Sequence, residues 1–159
     1  MDYTIREIEK SEYRLLEDFL YEAIFIPEEM SSPEKSIINQ PDLQVYVEDF
    51  GAKQDDYCLI AEIDGRIVGA AWTRIMKDYG HVDDETPSLA ISIFKKYRGL
   101  GIGTELLKQL LLILKSNGYK KTSLSVQKAN YAFKMYQNLG YKILYENEEE
   151  YIMINHLNN

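Results

Sequence analysis

Cysteine is nearly missing from this chain: Cys58 is its single thiol. That excludes an internal disulfide and points to a reducing compartment, so the expected location is the cytoplasm. Long apolar runs are also lacking. The longest, LLKQLLLILK, is broken by Lys108 and Gln109, well short of the ~20 residues a membrane span needs, so no membrane partner is expected. The opening MDYTIREIEK is too charged for a secretory signal and unlike a transit peptide. The two histidines, His81 and His156, are too few and too isolated for a metal site, and no metal is expected. Basic residues are outnumbered by acidic ones, 18 to 26, for a net charge of -8. Nucleic-acid binding through phosphate electrostatics is thereby disfavoured, and a cationic amine substrate is mildly favoured. Proline and glycine do not collect into a linker, and no repeat is visible. Residues 1–159, 45% apolar, therefore read as one domain with a real core.

Hydropathy patterning supplies the elements. YTIREIE alternates as an opening strand, and SEYRLLEDFLYEAIF has helical spacing with Ser11 as the expected N-cap. PEKSIINQ and DLQVYVEDFG read as two short helical pieces. DYCLIAEIDGRIVGAAWTRI is a hairpin turning at Asp64-Gly65. SLAISIF is a strand too apolar for a sheet edge, and ELLKQLLLILK a helix with a wide apolar face closed by Asn117-Gly118. KTSLSVQ is a strand, NYAFKMYQNLG a helix, and YKILYENEEEYIMINHL a final hairpin. The fold class is α/β of the α+β kind, a mixed sheet with helices on its faces.

The stretch YRGLGIGT, between SLAISIF and the leucine-rich helix, carries the chemistry. A helix N-terminus has unpaired N–H groups and a partial positive charge. Glycines let a phosphate approach those groups without meeting a Cβ, and Arg98 adds a cation at the mouth. A dinucleotide site would need G-x-G-x-x-G and a later acidic residue, and a nucleotide P-loop would need a lysine before Thr104; neither is present.

RGLGIG resembles the [Q/R]-x-x-G-x-[G/A] signature of the GNAT N-acetyltransferase superfamily, which holds the pyrophosphate of coenzyme A. NYAFKMYQNLGY is similar to that family's N-x-A-x-x-x-Y-x-x-x-G-[F/Y] helix, with Asn130, Ala132, Tyr136, Gly140 and Tyr141 in register. The likeness is specific from about Ser88 to Tyr145. It implies a GNAT-like, mostly antiparallel central sheet flanked by helices. It also implies acetyl-CoA as cosubstrate and acetyl transfer to an amine. The cofactor-binding positions it implies are Ile91, Ser92 and Ile93 through their backbone, Arg98, Gly99, Leu100, Gly101, Ile102, Gly103 and Thr104 on the turn, and Asn130, Phe133 and Tyr136.

In the family, the fourth strand parts from the fifth and leaves backbone groups free for the pantetheine arm and thioester. Tyr136 matches the tyrosine that often protonates the departing thiolate; a phenol is protonated at neutral pH. Relatives often carry a glutamate base at the start of the fourth strand, where Ser88 stands here. Glu85 is the expected substitute, with Asp84, Asp83 and His81 nearby. Cys58, in an apolar run, reads as structural, so direct attack in a ternary complex is expected over an acetyl-enzyme. Phe25, Glu28, Glu29, Tyr46 and Trp72 are loose candidates for the acceptor wall. The expected acceptor is a small-molecule primary amine. Alternatives are a protein or peptide amine and a CoA-binding regulatory module without turnover. A homodimer is a reasonable expectation.

Overall fold

The computed structural model describes residues 2–24, 26 and 30–157. Strand β1 (Thr4–Glu7) is followed by a 3-10 turn, Lys10–Leu15, and helix α1 (Leu16–Ala23). Ser11 is not the cap. The Glu9 and Glu12 side chains cap reciprocally, and Glu12 also receives two hydrogen bonds from Arg6. A second 3-10 turn, Lys35–Asn39, leads to the short α2 (Pro41–Gln44).

Strands β2 (Tyr57–Ile63) and β3 (Arg66–Arg74) form the expected hairpin. Asp64 and Gly65 both take positive φ, 50° and 79°, as a primed two-residue turn requires. Then come β4 (Ser88–Ile93), α3 (Ile102–Ser116), β5 (Lys121–Gln127), α4 (Ala132–Asn138), β6 (Lys142–Glu146) and β7 (Glu150–His156). The seven strands make one sheet in the order β1-β2-β3-β4-β5-β7-β6.

All neighbours are antiparallel except β4 and β5. That parallel pair meets at one rung, Ser88 opposite Ser123, backed by the Ser123 N–H donating to the Pro87 carbonyl at 3.0 Å. The sheet is thus two halves hinged at the base of β4.

Each face of the sheet has its own core. On one, α3 buries Leu106, Leu107, Leu110 and Leu114 completely, the first three in one cluster with Leu59, Ala71, Leu89 and Leu124. A fully buried leucine contributes roughly 1.5–3 kcal/mol by area removed from water. On the other, α1 and the segment after α2 pack Leu16, Phe19, Tyr46 and Phe50 over Ile60, Ala70 and Trp72.

Arg74 fastens this second layer to the sheet. Its guanidinium donates to both oxygens of the fully buried Asp56 carboxylate at 3.1 Å, and to the carbonyls of Val45 and Glu48 at 3.2 and 2.8 Å.

Candidate functional site

The functional region grows from the parting of β4 and β5. The Phe94 N–H donates to the Val68 carbonyl of β3 at 3.0 Å. Antiparallel ladders alternate, so Ser92 and Ala90 also turn their backbone groups toward β3, and Ile91 and Ile93 turn theirs the other way. Past the Ser88 rung, β5 offers those groups no ladder partner. Ile91 and Ile93 therefore keep the expected free backbone groups, although the Ile93 carbonyl already accepts from Arg98 Nε at 2.8 Å. Ser92 is a correction: β3 uses its backbone, and what it leaves unpaired is its buried side-chain hydroxyl.

The glycine-rich turn ends beside this gap. Gly99 and Gly101 sit in the left-handed region, with φ of 79° and 84°. The first helical bond of α3 runs from the Glu105 N–H to the Gly101 carbonyl at 3.2 Å, which leaves the N–H groups of Ile102, Gly103 and Thr104 outside the helix ladder. A Cβ on Gly103 would lie 3.7 Å from Met135 of α4 and 3.8 and 3.9 Å from the side chains of Ile93 and Ile91. The helix start, the free strand edge and α4 thus converge on one place. Arg98, about half exposed, reaches Glu22 of α1 at 3.0 Å; Leu100 is exposed and the Ile102 side chain is buried.

Tyr136 is buried in the same cluster as Ile91, Ile93 and Ile102, edge-on to Tyr141 with ring centres 5.8 Å apart. Burial pushes its phenol well above the ordinary value, so it stays protonated at neutral pH. The Asn130 side-chain carbonyl accepts from the Ala132 N–H at 2.9 Å, bracing the start of α4. Phe133 packs on Tyr151 at 4.8 Å.

On the opposite face, the expected wall is partly structural. Trp72 is wholly buried and donates to the Tyr46 carbonyl at 2.9 Å, which makes it a core residue. Phe25, Glu28 and Glu29 lie outside the described residues. Glu85 is exposed in a turn, its backbone N–H donating to Asp83 at 2.8 Å. Asp83 itself is engaged by Thr86 at 2.7 Å and Lys121 at 3.1 Å, which hold its carboxyl down at about 2. His81 Nδ1 donates to the Met76 carbonyl at 2.8 Å, and its Nε2 lies 3.5 Å from Asp84. Cys58 is buried, and burial pushes its thiol far from the reactive thiolate.

One acidic residue was missed by sequence reasoning. Asp78, in the loop between β3 and β4, accepts a hydrogen bond from Ser88 Oγ at 2.8 Å. Its other oxygen, Oδ2, is buried without a hydrogen-bond partner, and burial raises its carboxyl above the usual range. A cavity of about 540 Å³ borders this loop, lined by Met76, Lys77 and His81 with Val45 and the carboxylates of Glu48 and Asp84. In the sequence, KDYG looks like an ordinary turn. The sole hint was the serine where relatives place a carboxylate.

Among the described residues, no three His, Cys, Asp or Glu side chains gather as a metal cluster would. Likewise, no described helix is long and apolar enough to cross a membrane.

Comparison with known proteins bears on the fold and the family. Over 98% of this chain and 99% of the other, the fold superposes on PaiA N-acetyltransferase from Thermoplasma acidophilum in complex with coenzyme A, with TM-score 0.72 and 19% identity. It superposes on the ribosomal-protein-S18-alanine N-acetyltransferase of Escherichia coli with TM-score 0.67 and 18% identity, covering 99% and 96% of the two chains. In sequence, 86 residues are 33% identical to "Probable N-acetyltransferase camello" of Xenopus tropicalis, which is 52% of this chain and 37% of that protein. Residues 11–141 match the model of the acetyltransferase (GNAT) family, and the chain belongs to that family.

Proposed function

We propose that this protein transfers the acetyl group of acetyl-CoA to a primary amine of a small molecule, by direct attack in a ternary complex. The observation that carries this reading is the gap beyond Ser88. There the backbone of Ile91 and Ile93 has no partner on β5, the start of α3 lies against the side chains of both, and Tyr136 shares their cluster.

The residues fit the cosubstrate. The N–H groups of Ile102, Gly103 and Thr104 would hold its diphosphate, aided by the helix dipole and Arg98. When bound, acetyl-CoA supplies an activated thioester carbonyl to the incoming amine. The Ile91 and Ile93 N–H groups are fixed donors in a largely apolar setting, suited to negative charge developing on oxygen. Asn130 and Phe133 flank the path toward Tyr136, and the Tyr136 hydroxyl provides a proton for the leaving sulfur. Glu85, though exposed, is near enough in sequence to β4 to act through water.

The test is thiol release from acetyl-CoA in the presence of a panel of small primary amines. Saturable turnover with at least one amine is expected. CoA binding with no turnover on any small amine would remove this reading and favour a binding module or a macromolecular acceptor.

A further inference from the structure

Asp78 is a buried acid that neither the glycine motif nor the packing of the fold explains. Two strands and a loop define its setting. Ser88 Oγ donates to its Oδ1 at 2.8 Å, and Ser88 is the rung where β4 and β5 begin to part. The Tyr46 phenol, from the segment after α2, lies beside the carboxylate but without hydrogen-bond geometry toward Oδ2. Along the same loop, the Gly80 N–H is a further neighbour. His81 is turned to Met76 and Asp84, and among the described residues no cation is paired with Asp78.

A carboxylate held out of water with one oxygen unpaired costs free energy unless a donor or cation completes it. A second orphan points the same way. Ser92 Oγ is also buried and unpartnered, and the strand period of two puts Ser92 on the same face of β4 as Ser88. Unsatisfied acceptors therefore run along the diverging part of β4, on the face opposite Tyr136. The cavity of about 540 Å³ meets the same loop at Met76, Lys77 and His81, and three carboxylates, Glu48, Asp49 and Asp84, line it together with Lys53, Arg74 and Lys77.

We infer that Asp78 receives the acceptor amine as its ammonium ion and takes a proton from it before acetyl transfer. This inference rests on the acetyl-transfer reading above and narrows its acceptors to alkylamines that are protonated at neutral pH. One N–H bond of the ammonium breaks, its proton goes to Asp78 Oδ2, and the nitrogen recovers its lone pair. As the C–N bond forms and the C–S bond breaks, the nitrogen releases a second proton and the sulfur gains one. Asp78 then returns its proton to water. Burial, which raises the carboxyl, brings its basicity nearer to the task.

The experiment compares two amines of one carbon skeleton, ethylamine and 2,2,2-trifluoroethylamine; the fluorines leave the latter neutral at near-neutral pH. Asp78→Asn should lower kcat/KM for ethylamine by about a hundredfold or more, with a much smaller loss for the fluorinated amine and unchanged CoA affinity. Equal losses for both, or none, overturn the inference. Ser88→Ala provides a second reading that does not depend on Asp78→Asn folding. Losing that hydrogen bond disfavours the charged carboxylate, so the acidic limb of the ethylamine profile should move to higher pH. An unmoved limb counts against Asp78. If the wild-type protein binds CoA but acetylates no small amine at all, the proposed function fails first, and this inference fails with it.

Discussion

Arg98, which opens the glycine-rich turn, donates to the Glu22 carboxylate of α1 at 3.0 Å, with both side chains partly exposed. The same guanidinium is the cation proposed for the mouth of the diphosphate cradle. Glu22 and a bound diphosphate would then compete for it. A partly exposed pair of this kind is worth at most about 1 kcal/mol. Glu22→Gln should tighten CoA binding by up to about fivefold, measured by titration calorimetry at low salt, and the gain should shrink at high salt. Unchanged or weaker binding would show that Arg98 does not meet the phosphates.

Gly103 offers a cleaner probe of the cradle than Gly101. Gly101 has φ 84°, so any side chain there strains the turn whether or not a phosphate is bound. Gly103 is helical, and an added Cβ meets ordinary contacts of 3.7–3.9 Å. Gly103→Ala should leave the thermal midpoint unchanged or raise it, since alanine in a helix is favoured over glycine by up to about 1 kcal/mol. CoA affinity should nevertheless fall about tenfold or more, because a methyl group crowds the N–H groups. Stability and affinity moving in opposite directions is the signature to look for.

For Tyr136→Phe, the hydroxyl is the sole group removed from a buried ring. Turnover should drop about a hundredfold with little change in CoA affinity or thermal midpoint. A full-rate variant would assign Tyr136 to packing against Tyr141.

Asp56 and Arg74 predict a large stability effect. Asp56→Asn leaves the buried Arg74 guanidinium without its charge partner, which typically costs about 3–5 kcal/mol. Chemical denaturation should show the loss, and hydrogen exchange should show the segment from Val45 to Glu48 opening first, since Arg74 also holds its carbonyls.

The pair of Arg6 and Glu12 gives a pH-dependent contribution of known sign. Arg6 holds the Glu12 carboxyl down at about 2, below the unfolded value near 4.5. Its stabilisation is therefore complete above about pH 4.5 and is lost as pH falls toward 2. Glu12→Gln should flatten that part of the stability profile. An unchanged acid limb would mean the pair is spent on holding the β1–α1 corner without net gain.

Much of this was legible in the one-dimensional pattern, for local reasons. The Asp64-Gly65 turn, the leucine face of α3 and the positive-φ glycines are fixed by neighbours a few residues away, so spacing reveals them. The motif helix likewise placed Tyr136, and its burial beside Ile91 and Ile93 followed from the fold. Capping at Glu9 and Glu12 rather than Ser11 was less visible, because Arg6 on β1 helps hold Glu12. Which backbone groups of β4 remain free was decided by pairing with β3: a one-residue choice of register claims Ser92 and releases Ile91 and Ile93. Asp78 was nearly hidden, hinted at by Ser88 alone. Its neighbours Tyr46 and Ser88 lie respectively 32 and 10 positions away along the chain, and no local pattern marks a turn aspartate as dry. Sequence alone determined the bare, glycine-rich start of α3, because helix-start chemistry is local. The tertiary structure decided that the Asp78 carboxyl is kept from water, because desolvation is set by whatever the rest of the chain packs around a group.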